Sequence, residues 1–186
     1  MADWFDDLED LHDRVWSVLE RGVAERDAPA RHPVLATAGL KGGAEARVVV
    51  LRAAARVDAV LEVHTDTATA KIGELARDPM ATLLVWDSET RLQIRVRSRV
   101  EIMKGAGAAQ VWQRVPQGAR GVYGVVPLPG QEIDTPDAFE PGANADRFAV
   151  LTARAQAIDV VYLGEKEHRR ALYLADDNWH GSWRAP

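Results

Sequence analysis

The sequence of 186 residues contains no cysteine, and only four of its 23 basic residues are lysines. The lack of cysteine excludes disulfides, thiolate catalysis and metal sites with thiolate ligands. No stretch approaches the roughly 18 consecutive apolar residues that cross a bilayer, and the N-terminus has no basic region followed by an apolar run. We therefore predict a cytoplasmic protein without a membrane-spanning segment.

Several motifs of catalytic and nucleotide-binding proteins are also missing. The five histidines have no metal-ligand spacing and form no HExxH motif, so we predict no metal site. Neither GxGxxG nor GxxxxGK[ST] occurs, and no serine stands in a nucleophile-elbow pattern. These absences leave no residue that the sequence identifies as catalytic.

The negative charge of the chain is concentrated at one end. The formal net charge is -5, and residues 1–13 hold six acidic residues and no basic one. A broad nucleic-acid-binding surface is normally basic, so we predict no nucleic-acid partner. The nearly neutral remainder is rich in arginine, and its planar guanidinium suits a local anion pocket.

The hydrophobic pattern predicts a mainly β protein with flanking helices. Residues 1–28 hold an amphipathic helix over 2–25, expected to pack on a second unit, residues 29–186. Within that unit we predict helices at 67–77 and 105–114, a loop excursion near 126–146, and strands at 33–38, 45–53, 59–65, 80–86, 91–103, 148–152 and 157–163, with a final hairpin around 176–178. Because most connections are short, we predict a barrel of six or seven antiparallel strands.

Two segments place cations beside strands. Arg47 and Arg52 flank an apolar run. A guanidinium at the end of a buried strand must either meet an anion or reach solvent. In the second segment, His64 and Thr65 end a strand, and Thr69 and Lys71 open a helix. Hydroxyls and an ammonium at a helix N-terminus suit a phosphate group, although an ordinary helix cap with a solvated lysine fits the same residues.

A third segment carries a polar face on the clearest predicted strand. Gln93 shares that face with Arg91 and Arg95, whereas Leu92 and Ile94 face the other way. A glutamine side chain both donates and accepts hydrogen bonds, so it can meet the edge of a planar heterocycle such as a flavin. The alternative is a solvent-facing stripe on an edge strand.

Taken in order, these three segments resemble the pyridoxamine 5′-phosphate oxidase-related FMN-binding proteins, in the branch without an assigned substrate. The resemblance runs from about residue 30 to the C-terminus and includes residues 112–116, 167–170 and 183–186. It implies an antiparallel split barrel of the FMN-binding type. It also implies a homodimer that binds FMN at the subunit interface.

The resemblance assigns cofactor contacts to ten residues. Arg47 and the adjacent backbone of Val48 and Val49 would contact the phosphate or the ring, and Thr69 and Lys71 would hold the phosphate. The strand end at His64 and Thr65 would approach the flavin, and Arg52 and His64 are expected to balance charge on its reduced form. Two late contacts complete the set: Gln93 at the ring edge, from the other subunit, and Arg170.

Three departures from the family pattern concern phosphate groups. Ala70 stands where the family often has an arginine before the lysine. Residues 111–120 lack the Tyr-x-x-x-Arg-Pro-x-x-Ser pattern that binds the substrate phosphate in true pyridoxamine 5′-phosphate oxidases. The late Arg-Leu-x-His pattern is absent as well. The resemblance therefore does not favour synthesis of pyridoxal phosphate.

These observations predict an FMN-dependent oxidoreductase that acts on an unknown small molecule. Two alternatives of another class stay open: a non-catalytic module that binds or stores flavin or haem, and a barrel that has lost its cofactor. Pyridoxamine 5′-phosphate oxidase activity itself is a minor alternative.

Overall fold

The computed structural model describes residues 3–186, which form three α-helices, eleven strands and several short 3₁₀ turns. The helices are α1 (Leu8–Ala24), α2 (Ala70–Arg77) and α3 (Ala109–Arg114). The strands are β1 (Val34–Ala38), β2 (Ala44–Val48), β3 (Leu51–Ala55), β4 (Val60–Asp66), β5 (Met80–Asp87), β6 (Leu92–Lys104), β7 (Val122–Tyr123), β8 (Gly142–Ala143), β9 (Phe148–Leu163), β10 (His168–Leu174) and β11 (Gly181–Arg184).

The first helix begins later than its hydrophobic pattern predicts. The Asp7 carboxylate accepts hydrogen bonds from the Glu9 and Asp10 N–H groups at 2.8 and 3.0 Å and caps α1 at Leu8. The preceding residues form a separate 3₁₀ turn, and the predicted start at residue 2 lies outside the described residues. One face of α1 is buried in the main core through Leu11, Val15, Trp16, Val18 and Leu19. The boundary at residue 28 stays a prediction.

Nine strands form one antiparallel sheet in the order β11-β10-β9-β6-β5-β1-β2, with β4 on the other edge of β9 and β3 beside β4. The long strand β9 pairs with β6 along one edge. On its other edge, residues 148–154 pair with β4, whereas residues 157–163 pair with β10. The sheet therefore divides along β9, and the predicted fold class, an antiparallel split barrel with flanking helices, is confirmed.

Two strand predictions differ from the structure, and the sheet has more strands than the six or seven expected. Residues 45–53 form two strands rather than one, because the chain leaves the edge of β1 after Val49, whose N–H donates to the Pro33 carbonyl at 2.9 Å, and pairs with β4 from Leu51 onward. The strands predicted at 148–152 and 157–163 are one strand, β9. An apolar sequence pattern indicates which residues are buried, but it does not indicate where the chain changes from one neighbouring strand to another.

Strand β6 has the two faces that its alternating sequence predicts. Leu92, Ile94, Val96, Ser98 and Val100 are buried, whereas Gln93, Arg95, Arg97 and Arg99 point outward. Trp86 lies opposite Gln93 on this outer face and is 48% exposed. An exposed and a buried tryptophan look alike in the sequence of a strand with apolar residues on both faces.

The segment 126–146 leaves the main sheet and is closed at its base by β7 and β8. The Asp66 carboxylate, 3% exposed, ties this base to the end of β4. It accepts hydrogen bonds from the Ala68 and Gly124 N–H groups, both at 2.7 Å, and from two Arg147 nitrogens at 2.8 Å. A buried carboxylate with every lone pair engaged holds the three segments together.

No helix within residues 3–186 is long and apolar enough to cross a membrane. Over the same residues, no group of three or more histidine, aspartate or glutamate side chains is arranged to hold a metal ion.

Candidate functional site

The second of the three predicted segments forms a compact cluster at the start of α2. The Lys71 Nζ donates to the Thr65 hydroxyl at 3.1 Å, and the Thr65 and Thr69 hydroxyls lie 3.1 Å apart. Thr69 also donates to the Asp66 carbonyl at 2.7 Å and immediately precedes the helix. An ammonium and two hydroxyls therefore lie beside the N–H groups that open α2.

Arg47 reaches the same cluster from β2. Its guanidinium donates to the Thr37 hydroxyl and, at 2.8 Å, to the buried Glu74 carboxylate, which also accepts a hydrogen bond from Thr37 at 2.6 Å. Burial, and after it the charge of Arg47, lowers the pKa of Lys71 below its ordinary value. We call Arg47, Thr65, Thr69 and Lys71 the anion cluster.

The anion cluster carries an excess of positive charge. Glu74 pairs with Arg47, but within residues 3–186 no carboxylate forms an ion pair with Lys71. The Glu74 and Asp66 carboxylates offset the positive charge of Lys71 only in part, and a bound anion would stabilise this half-buried ammonium further. The cluster is therefore built to receive an anion.

A cleft of about 400 Å³ lies on the side of β3 and β4 that faces α3. Arg52, Ala53, Glu62 and His64 line one wall, and Val111, Arg114, Val115, Pro116 and Ala119 line the other. His64 and Glu62 share a face of β4 because they are two residues apart, whereas Thr65 points to the opposite side. Strand β4 thus carries cleft residues on one face and part of the anion cluster on the other.

Two contacts orient the polar wall of the cleft. The His64 Nε2 lies 2.8 Å from the Glu62 Oε1, and the His64 ring meets Phe148 edge-on with its centre 5.0 Å away. Arg52 lies beside the Tyr123 hydroxyl; burial raises the pKa of Tyr123, and Arg52 opposes that shift. Arg52 and His64 therefore enter the cleft as a cation and an oriented imidazole.

The remaining predicted contacts lie elsewhere in the chain. Gln93 pairs across the sheet with Trp86 and Val161 on the outer face, and no hydrogen bond, ion pair or shared cleft in residues 3–186 joins it to the anion cluster. The Val48 side chain points outward and is 64% exposed, whereas Val49 is buried. One chain alone does not bring Gln93 to the anion cluster.

Arg170 is engaged in an ion pair on the outer face. It donates to Asp159 at 3.1 and 2.8 Å, and Arg95 donates to the same carboxylate. Burial pushes the pKa of Asp159 upward, but the two guanidiniums outweigh burial and leave the pKa below its usual value. Arg170 lies on β10, at the opposite end of the sheet from Arg47 on β2.

Sequence reasoning missed Glu74, Glu62 and Tyr123. Glu74 lies in the middle of α2, where a glutamate usually faces solvent, and only its position one helical turn after Lys71 hints at the contact with Arg47. Glu62 carries a clearer signal, since residues two apart on a strand share a face with each other. Tyr123 follows a stretch without periodicity and carries no signal.

The fold and these contacts define an antiparallel split barrel with a phosphate-type anion cluster next to an open cleft. Residues 13–104, about half of the chain, match the family described as pyridoxamine 5′-phosphate oxidase, FMN-binding domain. The chain belongs to this family of FMN-binding proteins, and the resemblance and the cofactor predicted from the three segments are confirmed.

Individual relatives are distant in sequence and close in fold. A pyridoxine/pyridoxamine 5′-phosphate oxidase 2 from Arabidopsis thaliana is 25% identical, with 87% of this chain and 89% of the relative covered. A pyridoxamine 5′-phosphate oxidase-related FMN-binding protein from Nostoc punctiforme is 24% identical, with a TM-score of 0.73 over 100% and 99% of the two chains. PhzG from Burkholderia lata, solved with tetrahydrophenazine-1-carboxylic acid, is 19% identical, with a TM-score of 0.72 over 100% and 98%.

The anion cluster fits the phosphate of FMN. A phosphate dianion accepts several charge-assisted hydrogen bonds, and the cluster offers Lys71, two hydroxyls and the N–H groups at the start of α2. The excess charge of the cluster has the sign that the phosphate needs. The contacts of the ten residues with FMN themselves stay a prediction.

The exposed Ala70 offers a test of the cluster by addition of charge. We expect Ala70→Arg to lower the Kd for FMN about three- to tenfold, because a guanidinium next to Lys71 adds a partner for the phosphate. Fluorescence quenching of FMN on titration with protein measures the Kd. Ala70→Gln is the uncharged control, and an equal gain in both variants would contradict the role of charge.

Proposed function

We propose that the protein is an FMN-dependent oxidoreductase that acts on a small molecule. The observation that carries the proposal is the half-buried Lys71, which forms no ion pair with a carboxylate in residues 3–186 and lies beside the hydroxyls of Thr65, near the end of β4, and Thr69. The same strand presents His64 to an open cleft. One strand thus connects a site for the cofactor phosphate with a space for a substrate.

One set of residues in the chain holds FMN, and another positions a group that can accept a proton. Arg47, Thr65, Thr69 and Lys71 hold the phosphate, and Arg52 supplies positive charge beside the ring. Bound FMN supplies the electron-accepting chemistry. Because a carboxylate only accepts hydrogen bonds, Glu62 fixes the proton of His64 on Nε2 and leaves Nδ1 of the neutral ring able to accept a proton.

We further propose a homodimer that joins two chains through the outer face of the sheet. Trp86 and Val48 are large apolar side chains exposed on this face, beside Gln93 and the paired Arg170. Apolar surface framed by charged groups is typical of a protein interface. A partner packed there supports the family arrangement in which Gln93 reaches the FMN of the other chain.

The cleft does not favour pyridoxamine 5′-phosphate as the substrate. Val111, Val115 and Ala119 stand at the spacing of the tyrosine, arginine and serine in the phosphate-binding pattern, and all three line the cleft. These apolar side chains supply no hydrogen-bond donors, so only Arg52 and Arg114 of the cleft could donate to a substrate phosphate. The cytoplasmic location stays a prediction from the sequence.

Purified protein mixed with FMN tests this proposal. We expect flavin absorption bands that stay with the protein on gel filtration, and a molar mass near twice 20.4 kDa. We also expect the bound flavin to be reduced by NADH or NADPH, or to be reoxidised by oxygen after photoreduction. Failure to retain FMN would reject the proposal. FMN that stays bound yet undergoes neither reaction would identify a non-catalytic flavin-binding module.

A further inference from the structure

Arg52 occupies a β-bulge that directs its side chain into the cleft. Across β3 and β4, Leu51 lies opposite Val63 and Ala53 lies opposite Glu62, so Arg52 is the extra residue between two paired positions. A bulge of this kind reorients a side chain and is frequent beside active sites. Arg52 accordingly lines the cleft instead of following the regular alternation of the strand.

The charged side chains that face the cleft have a net positive charge that one negative charge would balance. Arg52 and Arg114 form no ion pair with any carboxylate in residues 3–186, and the Glu62 carboxylate is directed at His64. The two guanidiniums and the one carboxylate give one net positive charge. This balance matches a monoanion such as a carboxylate better than the dianion of a phosphate ester.

The opposite wall of the cleft is apolar apart from the Arg114 side chain. Val111, Val115, Pro116 and Ala119 present only carbon atoms from their side chains, so this wall binds hydrocarbon or aromatic surface through burial. A volume of about 400 Å³ accommodates a ring system of two or three fused rings. A polar ligand such as a sugar would leave its hydroxyls unpaired against this wall.

We propose that the cleft binds an apolar ring compound with a single carboxylate, which Arg52 receives while the ring packs on Val115 and its neighbours. The inference rests on the proposed function, since it names the class of substrate for the same site. Arg52 thereby determines substrate specificity. Because the charges that face the cleft sum to one positive charge, the site favours a carboxylate over a phosphate ester.

Three matched probes test the inference: 1-naphthoate, 1-naphthyl phosphate and the neutral 1-naphthamide. Isothermal titration calorimetry gives their Kd values for the FMN-loaded protein. We expect naphthoate to bind roughly tenfold more tightly than either other probe, because only naphthoate satisfies both the ring wall and the single charge. Tight naphthyl phosphate binding, equal to that of naphthoate, would overturn the inference.

Two variants assign the preference to its side chains. Arg52→Gln should bring the Kd of naphthoate within about threefold of that of naphthamide, whereas Arg26→Gln, at an exposed position outside the cleft, should leave the preference intact. Ala119→Lys should improve naphthyl phosphate binding by adding a cation to the apolar wall. An unchanged naphthoate preference in Arg52→Gln would overturn the role of Arg52.

The FMN absorbance recorded before each titration separates the two proposals. Protein that binds no FMN rejects the proposed function, and the same titrations on that protein still test the cleft, because this chain supplies all the residues that form it. Protein that binds FMN but shows no preference for naphthoate retains the proposed function and rejects the substrate class.

Discussion

Replacing Lys71 with alanine is expected to raise the Kd for FMN about 30-fold. The ammonium is half-buried, and its only hydrogen bond within residues 3–186 goes to the Thr65 hydroxyl, so its charge is available to the phosphate. A charge-assisted hydrogen bond of this kind contributes about 2 kcal/mol. Fluorescence quenching of FMN on titration with the FMN-free protein measures the change.

Lys41→Ala removes the same charge from an exposed turn between β1 and β2 and serves as the matched control. Its Kd should stay within twofold of the unaltered protein, since exposed charges at a distance are screened by salt. The effect of Lys71→Ala should also shrink for riboflavin, which lacks the phosphate. An equal loss of affinity for FMN and riboflavin would place Lys71 at the ring rather than at the phosphate.

The second large effect concerns stability. Asp66→Asn should lower the free energy of unfolding by about 3 kcal/mol. The substitution leaves the half-buried Arg147 guanidinium without its counter-ion. It also places an amide N–H group against N–H groups that now donate hydrogen bonds to the Asp66 carboxylate. Asparagine keeps the shape of aspartate, so no cavity contributes. Urea unfolding followed by tryptophan fluorescence measures the loss.

The measurement requires FMN-free protein, because a bound ligand adds its own stabilisation to the folded state. Asp58→Asn makes the same chemical change at an exposed position in the turn before β4 and should alter stability by less than about 0.5 kcal/mol. Similar small losses in both variants would show that Asp66 does not hold the base of the excursion in place.

Periodic segments were predictable from the sequence because burial alone determines their pattern. Strand β6 alternates between core and surface along most of its length, and α1 shows its buried face at spacings of three and four. The break between β2 and β3 was not predictable, since it arises where the chain changes its partner from β1 to β4. A local sequence pattern does not indicate which strand is the neighbour of another.

The site was predictable in part for the same reason. Thr65, Thr69 and Lys71 are close in sequence, and one strand-to-helix turn brings them together. Glu74 and Arg47 are 27 residues apart and meet only because α2 packs on β1, the strand that pairs with β2. The bulge that turns Arg52 into the cleft is a property of strand pairing, which a single sequence does not display.

The long strand β9 imposes an order on the assembly of the barrel during synthesis. Strand β4 ends at Asp66 and β6 ends at Lys104, yet both pair with β9, which begins at Phe148. Until the ribosome has released that part of the chain, β4 and β6 each present an unpaired edge to solvent, and such edges invite contact with other nascent chains. The barrel therefore closes late, and the protein is most prone to aggregation while it is being translated.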